Sequence, residues 1–224
     1  WQEWRKVGDE FDPPRVFVAE AWVKPAPRNA MYLRSDELHT GFNFPYLRCA
    51  WNADKQREVI ESTMAANALE NAPTTWVLEN HDVWRAATRY APIIGAANGQ
   101  EGGGITTDVG EEVDWQAERD LETGHRRARA NYLSMLALPG TVYMYQGQEL
   151  GLDECGVPMP WNNESPTLGF NNGSTSWLPQ PDHWKKLTAS AQDGDANSML
   201  TLSRTALQLR KELAALGGIT DDAE

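Results

Sequence analysis

Cysteine is nearly absent: Cys49 and Cys155 are the only two in 224 residues. Two thiols cannot build a disulfide framework or a zinc ribbon, so metal and redox chemistry are not expected. Cationic residues are also short, with 20 Lys+Arg against 32 Asp+Glu and a formal net charge of -12. That balance argues against a groove that tracks phosphates, and nucleic acid is not an expected partner. Long apolar runs are missing as well. None reaches the roughly 18 residues of a membrane helix, so no membrane association is expected.

What is there is a globular composition, 41% hydrophobic and 23% charged, with an unusual 10 Trp. The length suits one or two domains with a sizeable core. Tryptophan packs cores, and it also offers flat apolar faces that suit the C–H side of a sugar ring.

Short strand-like runs alternate with helical patterns, the sign of βα units around a parallel sheet. Four strands are expected, at residues 16–19, 40–44, 75–78 and 141–145. Prolines or a Pro-Gly turn introduce the first, third and fourth. Helices are expected at 54–69, with Asn52 as cap, at 83–89, at 118–138 with an apolar face of Leu133, Leu136 and Ala137, and at 198–216. In the last, Met199, Leu202, Ala206, Leu209, Leu213 and Leu216 recur in steps of 3 and 4 and predict one buried stripe. Glycine-rich residues 91–113 and Pro/Gly/Asn/Trp-rich residues 153–188 read as irregular loops. The glycines lack a following Lys-Ser/Thr and a leading strand, which argues against a phosphate cradle. Four strands are half of what closes a (β/α) barrel.

Polar residues gather at the C-terminal ends of these strands, where such barrels place their chemistry. Glu20-Ala21-Trp22 follows the first, Asn80-His81-Asp82 the third, and Gln146-Gly147-Gln148-Glu149 the fourth. His39 and Asn43 flank the second. Carboxylates from two strand ends could serve acid/base catalysis and stabilise positive charge. Each also has a plainer reading: Glu20 as a solvated loop carboxylate, His81 bonded to backbone, Asp82 capping the next helix, Gln148 and Glu149 satisfying rim amides.

The strings Val16-Phe17-Val18-Ala19-Glu20-Ala21-Trp22, Trp76-Val77-Leu78-Glu79-Asn80-His81-Asp82-Val83 and Leu138-Pro139-Gly140-Thr141-Val142-Tyr143-Met144-Tyr145-Gln146-Gly147-Gln148-Glu149-Leu150-Gly151-Leu152 resemble strands five, seven and eight of family 13 glycoside hydrolases, the α-amylase superfamily. Glu37-Leu38-His39-Thr40-Gly41-Phe42-Asn43-Phe44 resembles the sixth. The nearest likeness is to the bacterial α-glucosidase and oligo-1,6-glucosidase branch. Residues 1–216 thus resemble the C-terminal half of the (β/α)8 catalytic barrel, an α/β fold. Residues 217–224 form a tail, without the β-sandwich that follows in relatives.

The resemblance implies a retaining hydrolase of terminal α-linked glucose acting on small oligosaccharides, without a cofactor and in the cytoplasm. It implies Glu20 as general acid/base and Asp82 as the second carboxylate. His81, Asn80 and Trp22 would contact substrate, Trp22 on the aglycone side. A glucosyl-transferring or isomerising relative shares these motifs, and a non-catalytic relic or binding module is the reading from another class. Three departures bear on this. No Arg-x-Asp string follows a strand ahead of Glu20, so the nucleophile is missing and the chain is expected to be inactive alone. Leu152 runs directly into Asp153-Glu154-Cys155-Gly156, where relatives carry a longer loop and an arginine at the place of Gly156. Gln148 stands where many relatives carry Glu.

Overall fold

The computed structural model describes residues 1–95 and 117–216. Most of the loop expected at 91–113, and the tail at 217–224, lie outside them. In chain order the elements are α1 (Gln2–Asp9), β1 (Val18–Ala19), α2 (Ala26–Ala30), β2 (Thr40–Gly41), α3 (Phe44–Leu47), α4 (Ala53–Ala68), β3 (Thr75–Val77), α5 (Ala86–Arg89), α6 (Leu121–Ala137), β4 (Thr141–Tyr143), α7 (Ala189–Gln192) and α8 (Met199–Ala215). Residues 153–188 are irregular apart from a 3-10 turn at Asp182–Lys186.

All four strands form where the sequence places them, each one to three residues shorter. They make two parallel pairs. β1 lies beside β2 with Val18 opposite Thr40, and β3 beside β4 with Thr75 opposite Thr141. Helices connect the partners, as parallel strands require. The pairs are tied by a buried hydroxyl bond, Thr40 Oγ1 to Thr75 Oγ1 at 2.6 Å.

The main core sits behind β3, where Trp76 and Leu78 meet Tyr46, Tyr90, Tyr132 and Met135. A smaller cluster under β1 and β2 contains Ala19, Leu33, Leu38 and Ala72. α4 begins as expected, the Asn52 side chain accepting from the Lys55 amide at 2.9 Å. Its Val59, Ile60 and Met64 pack on the main core. α6 rests on α5 through Gly124, where a Cβ would lie 2.1 Å from the Ala87 carbonyl oxygen.

Three expectations are corrected. The α8 stripe is not buried along its length: Leu209 and Leu216 are 52% and 83% exposed, and the fully buried positions are Leu200 and Ser203. Periodicity defines a helix face, but along the later turns of α8 little of the described chain covers its leucines. In α6 the buried face is Ala128, Tyr132, Met135 and Leu136, whereas Leu133 and Ala137 are exposed. The helix expected at 83–89 begins only at Ala86.

Candidate active site

β1 ends at Ala19, and the next residue, Glu20, is exposed. Among the described residues its carboxylate makes no hydrogen bond or ion pair. Two residues on, Trp22 lies flat against Phe44, ring centroids 3.8 Å apart and planes at 16°. The Arg48 guanidinium sits 5.2 Å from the Trp22 ring centroid. Phe44 is buried with Leu47, Val77 and Val83. Aromatic and aliphatic contacts therefore run from the segment after β1 to the neighbour of Asp82.

Beyond β3 the chain turns sharply through Asn80, His81 and Asp82. The Asp82 amide donates to Asn80 Oδ1 at 3.1 Å, and Asn80 Nδ2 donates to Asp82 Oδ2 at 3.3 Å. Asparagine favours such turns because its side chain mimics a backbone carbonyl. His81 Nε2 lies 3.3 Å from Asp82 Oδ1. Both Asp82 oxygens are thus oriented by neighbours, yet the carboxylate stays open to solvent and can accept from a polyol hydroxyl.

Asp82 does not cap the following helix. The Ala86 amide is taken instead by Glu79 Oε1 at 2.9 Å. Glu79 also pairs with Arg85 at 3.0 Å, both side chains 4% exposed or less. Arg85 packs over the Tyr145 ring and donates from Nε to the Glu154 carbonyl at 3.2 Å. This buried pair underlies the turn, and sequence reasoning missed it. The only signal was a charged residue closing an apolar strand six positions before an arginine.

The other strand-end residues are engaged by local backbone groups. His39 Nδ1 accepts from the Phe17 amide at 3.1 Å, and burial, then the nearby Arg5, lowers its pKa. Asn43 caps α3 through the Tyr46 amide. Gln148 accepts from the Tyr145 amide and Glu149 from the Gly147 amide.

The structure thus brings Asn80, His81 and Asp82 into one turn and places Glu20 and Trp22 together after β1. No hydrogen bond or ion pair joins the two groups. A cavity of about 580 Å³ is lined by Trp84, Thr88, Glu154, Cys155 and His183 among others, and none of the three turn residues lines it. Among the described residues no group of three His, Cys, Asp or Glu could hold a metal, and no helix is long and apolar enough to cross a membrane.

Comparison with known proteins bears on what such an arrangement does. Residues 115–217 match the family model "Alpha amylase, catalytic domain". Maltase A1 of Drosophila melanogaster is 23% identical over 94% of this chain and 37% of its own length. Oligo-1,6-glucosidase IMA5 of Saccharomyces cerevisiae is 23% identical over 80% of this chain and 36% of its own. The crystal structure of the α-glucosyl transfer enzyme XgtA superposes with a TM-score of 0.71 at 28% identity, over 96% of this chain and 39% of that one. The chain therefore spans well under half the length of the relatives it matches. In the strings at its strand ends and in these likenesses together, the chain is similar to the α-amylase catalytic-domain family of glycoside hydrolases.

Proposed function

We propose that this chain carries the proton-transfer and glucose-gripping residues of a retaining α-glucosidase, on the segment equivalent to strands five to eight of the barrel. The observation that carries this reading is the Asn80-His81-Asp82 turn. Its carboxylate is oriented by two neighbours and left open, at the C-terminal end of a parallel strand, where barrels of this type act. Glu20 stands at another such end, free of any partner among the described residues.

In this reading Glu20 protonates the glycosidic oxygen as the bond to the anomeric carbon breaks. Asp82 and His81 hold hydroxyls of the glucosyl ring, and the Asp82 charge favours the oxocarbenium-like transition state. Trp22, backed by Phe44, offers its ring to the departing sugar. Glu20 then takes the proton of the incoming water. A retaining reaction also needs a nucleophilic carboxylate. No Arg-x-Asp string precedes Glu20 in these residues, so the covalent ester requires an aspartate from outside them. The 224 residues alone are expected to bind sugar without turning it over. The likeness to XgtA supports a second reading, in which a sugar hydroxyl replaces water as acceptor at the same residues.

Nuclear magnetic resonance during maltose titration tests the proposal. Maltose should shift the Trp22 indole and His81 ring signals, and Asp82→Asn should weaken binding about tenfold, as loss of a charged hydrogen-bond acceptor implies. Shifts confined to other tryptophans, with Asp82→Asn binding like the parent chain, would sink it.

A further inference from the structure

We propose that Asp153 is a positioning residue for the Asn80-His81-Asp82 turn: its carboxylate, gripped by His183 and Trp184, moors the three residues that support the turn. The inference rests on the reading of that turn as the sugar-gripping element.

The mooring is visible on both sides. On one side Asp153, 3% exposed, takes Trp184 Nε1 on Oδ1 at 2.7 Å and meets His183 Nε2 at Oδ2, also at 2.7 Å. His125 of α6 faces the same oxygen at 3.7 Å. Trp184 is fully buried and packs with Leu150, Leu152, Val157 and Leu200, so the carboxylate is fastened to a fixed point. On the other side, three consecutive residues meet the segment between β3 and the end of α5. Thr88 Oγ1 donates to the Asp153 carbonyl, Arg85 Nε to the Glu154 carbonyl, and the Cys155 thiol approaches the carbonyls of Asn80 and His81 at 3.5 and 3.4 Å. No helix or strand holds residues 153–155 in place. Their position against the turn is set by side-chain anchors, of which the Asp153 carboxylate and the Arg85 guanidinium are the buried charged ones. An anchor of this kind has two states, fastened or loose, because a buried carboxylate stripped of its donors does not stay buried.

The two cysteines make the coupling measurable. Cys155 lies against the turn, and burial raises its thiol pKa. Cys49 is buried under α3, remote in sequence from the anchor, and serves as an internal control. Alkylation of the chain by iodoacetamide at fixed pH, read by peptide mass mapping, follows both. Asp153→Asn should raise the Cys155 rate about tenfold through local opening, leave Cys49 unchanged, and move the His81 ring resonance. His183→Gln keeps a donor toward Asp153 and should stay within about twofold of the parent chain in both readouts. A Cys155 rate in Asp153→Asn within about twofold of the parent, an unmoved His81 resonance, or Cys49 rising in parallel with Cys155 would overturn the proposal. If Asp153→Asn does not fold, His183→Ala is read by the same criteria. None of these readouts needs bound sugar, so a failure of maltose binding is distinguishable from a failure of the mooring.

Discussion

At the residue scale, burial decides which charges are structural and which are available. Glu79 and Arg85 are both enclosed, and each is partnered by the other at 3.0 Å and by backbone groups. Asp153 is held in the same way. Burial by itself would raise its carboxyl, but the nearby His125, the hydrogen bond from Trp184 and the charge and hydrogen bond of His183 outweigh it and hold the pKa at about 2. A folded value below the ordinary 3.8 stabilises the chain fully above about pH 4 and less as pH falls toward 2. The contribution is about 2 kcal/mol. Urea unfolding at pH 6 should find Asp153→Asn less stable by that amount, and at pH 2 the gap should close; a gap constant between the two would refute the linkage. Gly156 shows a different constraint. Its backbone lies at φ +75, in the left-handed region where a side chain costs about 1–2 kcal/mol. A longer side chain at this position would therefore be strained. Glu20, His81 and Asp82 were singled out in the sequence as candidates by the strand-end strings. Glu79 and Asp153 were not, because a carboxylate buried by long-range partners looks the same in a sequence as one in water.

At the element scale, helices were readable where local chemistry terminates them and less so where packing decides. Asn52 caps α4, Asp120 caps α6 and Ser198 caps α8. The C-terminus of α6 is closed by a distant residue instead. Arg210 of α8 donates to the carbonyls of Leu136, Leu138 and Gly140, joining the two helices to the turn before β4. No local pattern announces that arrangement, nor does periodicity say that little of the described chain covers the later leucines of α8. α6 and α5 approach closely at Gly124. Gly124→Ala should push α6 off α5 and cost about 1–3 kcal/mol by overpacking, despite the better helix propensity of alanine. Thermal unfolding checks the sign: a variant melting at or above the parent would show that the contact yields freely.

On the scale of the whole molecule, the alternation of strand and helix was legible because parallel pairing demands it. The distribution of core was not. Trp76, Tyr46, Tyr90, Tyr132 and Met135 concentrate behind β3, whereas β1 has a smaller cluster and an outer side where Trp1, Trp4, Val7, Val16 and Val18 stay exposed. Contact density sets how readily a region opens. Amide hydrogen exchange should therefore be at least about tenfold slower in β3 and β4 than in β1 and β2; equal protection along all four strands would contradict the unequal core.

The buried bond between Thr40 and Thr75 gains a meaning from that imbalance. Two hydroxyls and the aromatic contacts above them join a firm half, which holds Asp82, to a looser half, which holds Glu20 and Trp22. A sugar spanning Trp22 and Asp82 would act as a rivet between them. Its binding free energy would appear by mass action as slower exchange in the loose half, so that a bound sugar would complete the rigidity of the site proposed to receive it.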